Sequence, residues 1–512
     1  MNGAGSGGEP IPSAPPEARR IVRGAVWATI EVWGVELLHL LAFLLLARLV
    51  GPEAYGLVAL AMAFVLVPQN LLVHGGWIEA LVQRPELSRV EVDSLFWLLA
   101  GLGLASALLL LALAPWAASW FGLPELGSLL AALSLCPLLT SLMVVPAGLL
   151  QRRLALAPLA LRSILGAGVG GAVAVALALA GAGPWALVAN EIAWPLAGVV
   201  VLGLAAGHRP RAVFAPRELR AIGRFALGIT GDQLVTLGEL FLPRVLLAAA
   251  SGPIAVGLWG LARKLFELSA ELVTRPALRV ALPGFARLSH DPKRLSEGLA
   301  TVVELTALVA VPGYLSGLVL APDIVALAFG EAWRGAGAAL QILALSGPIL
   351  PLGLLLTSAF LGAGRADLVL TLGAAGGLVL LVLLLPLLAW GAYGVAAAFT
   401  LRAWSMLPVR LALARRVLGV PPRWVLAPLA PVAGAGLVML AVIAAMRVAV
   451  ATGPTAPDVA LSAAAGVLGY LLALLTFARP VLFRAVRGLR AVGKDPDPPP
   501  DRVRESRPTS GL

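Results

Sequence analysis

Runs of about 20 apolar residues, the length an α-helix needs to cross a hydrocarbon core of roughly 30 Å, recur along almost the whole chain. Stretches such as "LLHLLAFLLLARLV" and "LVLLVLLLPLLAW" lack the period-two alternation of a membrane β-barrel strand, so the fold class is all-α and polytopic. With 60% hydrophobic and 13% charged residues and a mean hydropathy of +0.94, water is not the main solvent of this chain. Fourteen transmembrane helices are expected, near 24–47, 56–75, 93–114, 127–149, 158–181, 184–206, 222–249, 255–280, 298–320, 336–361, 366–388, 391–414, 425–447 and 458–479.

Charge tests that segmentation, because connections facing the cytoplasm are enriched in Lys and Arg. With the N-terminus inside, the inner segments carry Arg19, Arg20 and Arg23, then Arg84 and Arg89, then Arg152, Arg153 and Arg162, then Arg209, Arg211, Arg217, Arg220 and Arg224. Arg287, Lys293, Arg294 and Arg365 follow, then Arg410, Arg415, Arg416 and Arg423 and a basic tail. The outer connections hold only Arg48, Arg334 and Arg447. An even number of spans with both termini in the cytoplasm satisfies this alternation. It also accounts for the net charge of +11 without nucleic acid, since the cations are spread over loops that face anionic lipid. The lone Cys136 lies in an apolar run and reads as a small packing residue.

The sequence repeats itself. "GPEAYGLVALA" at 51–61 and "GPIAVGLWGLA" at 252–262 share Gly, Pro, Ala, Gly, Leu, Leu and Ala at an offset of 201 (252 − 51). "RPELS" and "DPKRLS" place their prolines 207 apart (292 − 85), and "GPWALVA" and "GAYGVAA" begin 208 apart (391 − 183). Anchors in one order at nearly one offset indicate duplication of a six-span unit. An even unit inserts both copies in one direction, about a pseudo-twofold along the membrane normal. The repeated Gly-Pro motif reads as an outer turn after each leading helix, with small residues that permit close packing. The expected organisation is a disordered N-terminal tail (1–20), an N-terminal lobe (21–206), a basic linker (207–221), a C-terminal lobe (222–414), two additional helices (415–480) and a basic disordered tail (481–512).

Ionisable groups at membrane depth are costly and mark functional positions. The first span carries Glu31, Glu36 and His39, and the seventh carries Asp232, Glu239 and, near its end, Arg244. The offset of 201 pairs Glu31 with Asp232 (232 − 31). These acids and His39 are candidate coupling groups. In the eighth span Arg263, Glu267, Glu271 and Arg275 fall at steps of four, a stripe that drifts about 40° per step and permits salt bridges at both ends. Together with Arg244 and Arg402 they are candidate walls of a substrate cavity whose arginines can exchange a Glu partner for a phosphate. Gln69, Asn70 and His74 are weaker candidates. The chain carries no metal-ligand motif, nucleophile elbow or phosphate-binding Gly loop, and its outer connections are short, so it reads as a transporter without cofactor or metal and not as an enzyme.

"LARLVGPEAYGLVALA", "ALVQRPELS" followed by "FWL", "GLLQRRL", "GLWGLARKL" and "LPGFARLSHDPKRL" resemble, in that order, the oligosaccharide flippases of bacterial polysaccharide biosynthesis, from about residue 20 to 440. These belong to the multidrug, oligosaccharidyl-lipid and polysaccharide exporter superfamily. The resemblance implies a MATE-like pair of six-helix bundles in the bacterial cytoplasmic membrane, rocking between inward and outward openings. The implied cargo is an undecaprenyl-diphosphate-linked oligosaccharide for exopolysaccharide, capsule or O-antigen (lipopolysaccharide). Implied partners are membrane lipids, a polysaccharide polymerase and a chain-length regulator, with the transporter itself a monomer. Arg263 matches the family's basic residue after "LA", whereas Pro243 stands where relatives often have an acid. The competing readings are a cation-coupled drug or metabolite efflux antiporter, in which Glu31 and Asp232 would couple, an enzyme of lipid-linked glycans, and a non-transporting scaffold.

Overall fold

The computed structural model describes residues 16–84, 86–217, 219–449, 455–477 and 479, and every regular element among them is helical. The side chains of residues 16–37, 74, 221, 222, 224–236, 272, 273, 276, 279 and 280 lie outside the description, and with them those of Glu31, Glu36, His74 and Asp232. In a hydrocarbon solvent each backbone N–H needs a partner within its own segment, which long apolar helices provide. Ten stretches among the described residues are long and apolar enough to cross a membrane, so this is a multi-pass membrane protein. Two of them, Leu38–Gln83 and Ala366–Val417, run for 46 and 52 residues, more than twice the roughly 20 that one crossing needs.

The first half comprises α1 (Pro16–His74), α2 (Trp77–Gln83), α3 (Arg89–Phe121), α4 (Pro124–Leu133), α5 (Leu135–Arg152), α6 (Leu156–Leu179) and α7 (Pro184–Ala206). The second comprises α8 (Leu219–Leu288), α9 (Pro292–Phe329), α10 (Arg334–Ala344), α11 (Leu350–Gly362), α12 (Ala366–Leu387) and α13 (Gly391–Val417). Then follow α14 (Pro422–Leu426), α15 (Leu429–Ala449) and α16 (Ala456–Phe477). Residue α1 starts from is Pro16, ahead of the expected boundary at 21, and residues 481–512 lie outside the description.

The duplicated motifs adopt duplicated backbone. Gly51 (φ 80°, ψ 170°) and Gly252 (φ 76°, ψ −178°) interrupt α1 and α8 with the same non-helical conformation. Gly183 (φ 56°, ψ −127°) and Gly391 (φ 60°, ψ −137°) precede α7 and open α13 in another. Both conformations lie at positive φ, which disfavours a residue with a Cβ. At each copy of the Gly-Pro motif two helices therefore meet at a kink one residue wide. Beyond it the two copies cross: a Cβ on Gly56 would fall inside the carbonyl of Pro253, and one on Gly257 inside the carbonyl of Pro52. No other pair of elements packs as extensively as α1 and α8.

The expected fourth and tenth spans are each divided, between α4 and α5 at Ser134 and between α10 and α11 at residues 345–349. Pro137 and Pro348 lie at these breaks, where a missing N–H and the ring's clash with the preceding turn disfavour continuous helix. The main apolar core joins both halves, with Leu46, Leu57 and Leu60 against Trp259, Trp333 and Leu384. Cys136 is buried in it, in the packing role expected. α15 and α16 dock on α9 through Met439, Ile443 and Tyr470 against Ala307 and Val311, and the Tyr470 hydroxyl donates to the Leu308 carbonyl at 3.0 Å. Apolar side chains such as Leu179 and Leu204, 71% and 81% exposed, face outward as a lipid-facing surface requires.

Candidate functional site

α8 supplies the charged stripe, and both of its expected ion pairs form. Arg263 Nε donates to Glu267 Oε1 at 2.5 Å, and Arg275 Nη2 lies 2.8 Å from Glu271 Oε1. The stripe is nevertheless not one wall. Arg263 and Glu267 line a cavity of about 230 Å³, whereas Glu271 and Arg275 are absent from its lining and the Arg275 side chain is 53% exposed. A step of four leaves a 40° residue, so two steps turn the stripe by about 80° and carry its lower half off the cavity.

α13 completes the cavity. Arg402 Nη1 lies 2.8 Å from Glu239 Oε1, an ion pair between the two helices. Phe399, one turn before Arg402, presents its ring to two cations, with the Arg263 guanidinium carbon at 4.6 Å from the centroid and that of Arg402 at 5.8 Å. Arg410 also lines the cavity, over Gly353 of α11, where a Cβ would collide with its guanidinium. Its buried Nε has no hydrogen-bond partner among the described residues. By charge Arg410 counts with the inner basic segments, at the inner end of the expected span 391–414. α13 continues to Val417, and a long side chain on its closing turns leans back toward the helix N-terminus. Three guanidiniums thus face two carboxylates, Glu239 and Glu267, with Ser346 as a neutral polar neighbour. Glu239, expected among coupling groups, is here the partner of an arginine.

A second, larger cavity of about 540 Å³ opens among α1, α5, α6 and α7. His39, Gln69 and Asn70 line it from α1, Thr140 from α5, and Asn190, Glu191 and Trp194 from α7. Gln69 Nε2 donates to Thr140 Oγ1 at 3.2 Å. α7 sits close to α6 because Gly166 and Gly170 leave room for Trp194 and Ala193. Lys264 of α8 reaches the same cavity. Arg244 does not join the other arginines. It lines a smaller pocket of about 230 Å³ with Tyr55 and Glu191, and its buried Nη1 has no hydrogen-bond partner among the described residues.

Sequence reasoning missed Arg410, Asn190, Glu191 and Lys264. Glu191 had a signal, a carboxylate within "ALVANEIAWPLAG", by the same rule that selected Asp232. Groups of three or more His, Cys, Asp or Glu able to hold a metal ion do not occur among the described residues.

Trp333 Nε1 donates to the Ala47 carbonyl at 2.8 Å, and the rings of Phe43, Tyr55, Phe329 and Trp333 pack edge to face with centroids 5.6–6.0 Å apart. Nearby, two of the three expected outer cations converge on buried Asp323: Arg334 at 3.1 Å and Arg447 in direct contact.

The family model described as "Polysaccharide biosynthesis protein" matches residues 45–337. The chain is 29% identical over 335 residues to the succinoglycan biosynthesis transport protein ExoT of Rhizobium meliloti (strain 1021), covering 65% of this chain and 67% of that protein. It is 24% identical over 364 residues to the lipopolysaccharide biosynthesis protein WzxC of Escherichia coli (strain K12), covering 68% and 71%. Among solved structures it is similar to the lipid II flippase MurJ in an inward closed conformation, with a TM-score of 0.69, 16% identity and coverage of 89% of this chain and 99% of that one. An inward-facing multidrug resistance MATE family transporter of the MOP superfamily gives a TM-score of 0.62 at 18% identity, covering 77% and 98%. At these identities the likeness to the solved structures is one of fold.

Proposed function

The chain belongs to the polysaccharide biosynthesis protein family, and from that membership we propose that it is a flippase carrying lipid-linked oligosaccharide, on an undecaprenyl diphosphate carrier, across the bacterial cytoplasmic membrane. The observation that carries this reading is the cavity of Arg263, Arg402 and Arg410 against Glu239 and Glu267 in a multi-pass membrane protein. A diphosphate needs several guanidinium donors in a site poor in water, and the surplus cation and the open Arg410 Nε supply them. The lipid tail stays in the bilayer while the charged head crosses inside the protein. Efflux of a cationic drug fits this cavity less well, because the surplus charge repels it.

In this reading α1–α7 and α8–α13 are two lobes; α1, α8 and the stretch Ala366–Val417 each cross the membrane twice, α10 with α11 makes one crossing, and the seven other apolar stretches cross once. The fourteen-span count with both termini cytoplasmic then follows from the charge alternation. The recurrence of the glycine conformations at offsets of 201 and 208 supports the two-lobe plan. The Trp333–Ala47 closure lies on the outer side, and rocking of the lobes about the crossing of Pro52 and Pro253 opens it. A polymerase and a chain-length regulator are the partners that act on the product.

Complementation of a deletion strain tests the reading. The wild-type gene restores surface polymer, and Arg402→Ala and Arg263→Ala leave the lipid-linked unit accumulating on the inner leaflet with normal protein in the membrane. Full polymer export by both variants would overturn the arginine site. Accumulation of no lipid-linked unit in the deletion strain would overturn the flippase reading itself.

A further inference from the structure

We propose that the 540 Å³ cavity among α1, α5, α6 and α7 is a separate subsite for the sugar units of the cargo, hydroxyl-rich rings, while the arginine cavity takes the diphosphate. This rests on the flippase reading and assigns its cargo to two places.

The linings differ in kind. Gln69, Asn70, Thr140 and Asn190 each offer both a donor and an acceptor, which is what a ring of hydroxyls requires and a phosphate does not. The cavity adjoins the pocket of Arg244, which shares Tyr55, Met62, Leu66, Leu187 and Glu191 with it, so Glu191 stands between Lys264 and Arg244 and accepts from hydroxyls while opposing a diphosphate. Phe43, Tyr55 and Trp194 add apolar faces for the C–H sides of sugar rings. The volume lies within the roughly 300–1,000 Å³ of small-molecule sites.

The position is right for a single cargo. Arg263 and Lys264 are consecutive on α8, yet one lines the arginine cavity and the other the amide-lined cavity. Successive helical residues point about 100° apart, so α8 is the partition between the two spaces. A cargo whose diphosphate sits on Arg263 turns the corner of α8 and lays its first sugars beside Lys264.

The test is equilibrium binding to the full-length chain in lipid nanodiscs with two probes: synthetic undecaprenyl diphosphate, and the lipid-linked oligosaccharide extracted from cells that lack the gene. Gln69→Leu and Asn190→Leu replace each amide by an apolar side chain and remove its hydrogen bonds. Each is expected to weaken binding of the extracted glycolipid about tenfold. Each leaves undecaprenyl diphosphate binding within about twofold of wild type, which also shows that the variant is folded. Arg402→Ala weakens both probes. If both leucine variants bind the glycolipid as wild type does, or lose both probes alike, the sugar subsite is wrong while the flippase reading stands. If the wild-type chain binds neither probe, both fall.

Discussion

Gly56 lies against the backbone carbonyl of Pro253, and the contact is reciprocated between Gly257 and Pro52. Each partner belongs to one copy of the repeated Gly-Pro motif, so the duplication meets itself where α1 and α8 cross. Backbone rests on backbone there, with no side chain between to yield.

Gly56→Ala and Gly257→Ala are therefore expected to destabilise the protein by roughly 1–3 kcal/mol each, since the added methyl forces the two helices apart. Gly101→Ala is the control: no atom lies within 4 Å of a Cβ there, and the helix gains up to about 1 kcal/mol. Thermal unfolding in detergent, followed by retention of the monodisperse peak, reads the difference. Equal midpoints for all three variants would show that the crossing is not tightly packed.

Glu239→Gln is expected to weaken export less than Arg402→Ala, and the double variant to resemble Arg402→Ala alone. The glutamate's contact here is with the arginine, at 2.8 Å, and removing it frees a guanidinium that still meets the diphosphate. A double-mutant cycle on polymer export checks the coupling. Additive losses would mean that the two residues act separately.

Phe399→Leu keeps an apolar side chain, smaller than Phe, and removes the ring beneath Arg263 and Arg402 along with its contact to Trp259. Loss of cation–π attraction of about 0.5–2 kcal/mol should weaken undecaprenyl diphosphate binding several-fold. Unaltered affinity would show that the ring does not hold the guanidiniums in place.

Asp323→Asn leaves Arg334 and Arg447 without their shared carboxylate at a buried position. A loss of roughly 1.5–3 kcal/mol is expected, the range for hydrogen bonds to charged groups. It should appear first as faster proteolysis in the connection between α15 and α16, because Arg447 ties α15 to α9. Proteolysis at the wild-type rate would show that the apolar contacts of Met439 and Ile443 hold α15 alone.

Much of the charged stripe was legible in the sequence because salt bridges at i, i+4 follow from helix geometry alone: Arg263 with Glu267, and Glu271 with Arg275. The pairing of Arg402 with Glu239 was not, since residues on different helices meet only through the packing of α13 on α8. Nor was the burial of Arg410, whose place in an apparent inner segment gave no hint that it reaches over Gly353. Glu191 could have been found by its depth in an apolar run. Its company of Gln69 and Thr140 could not, because they come from two other helices, α1 and α5. The pairing of Glu31 with Asp232 involves side chains outside the described residues.

By itself the sequence determined the solvent, the helical class, the recurrence of the Gly-Pro motif and the breaks at its two copies, though not those at Ser134 and 345–349. These are properties of one segment at a time: apolar length sets membrane crossing, and Gly at positive φ sets the break. Only the tertiary structure decided which charges share a cavity, that Arg263 and Lys264 face different cavities, and that the repeated motif is a contact between its own two copies. Those depend on the rotation and crossing of helices distant in sequence, which small residues such as Gly56 and Gly257 permit but no single segment encodes.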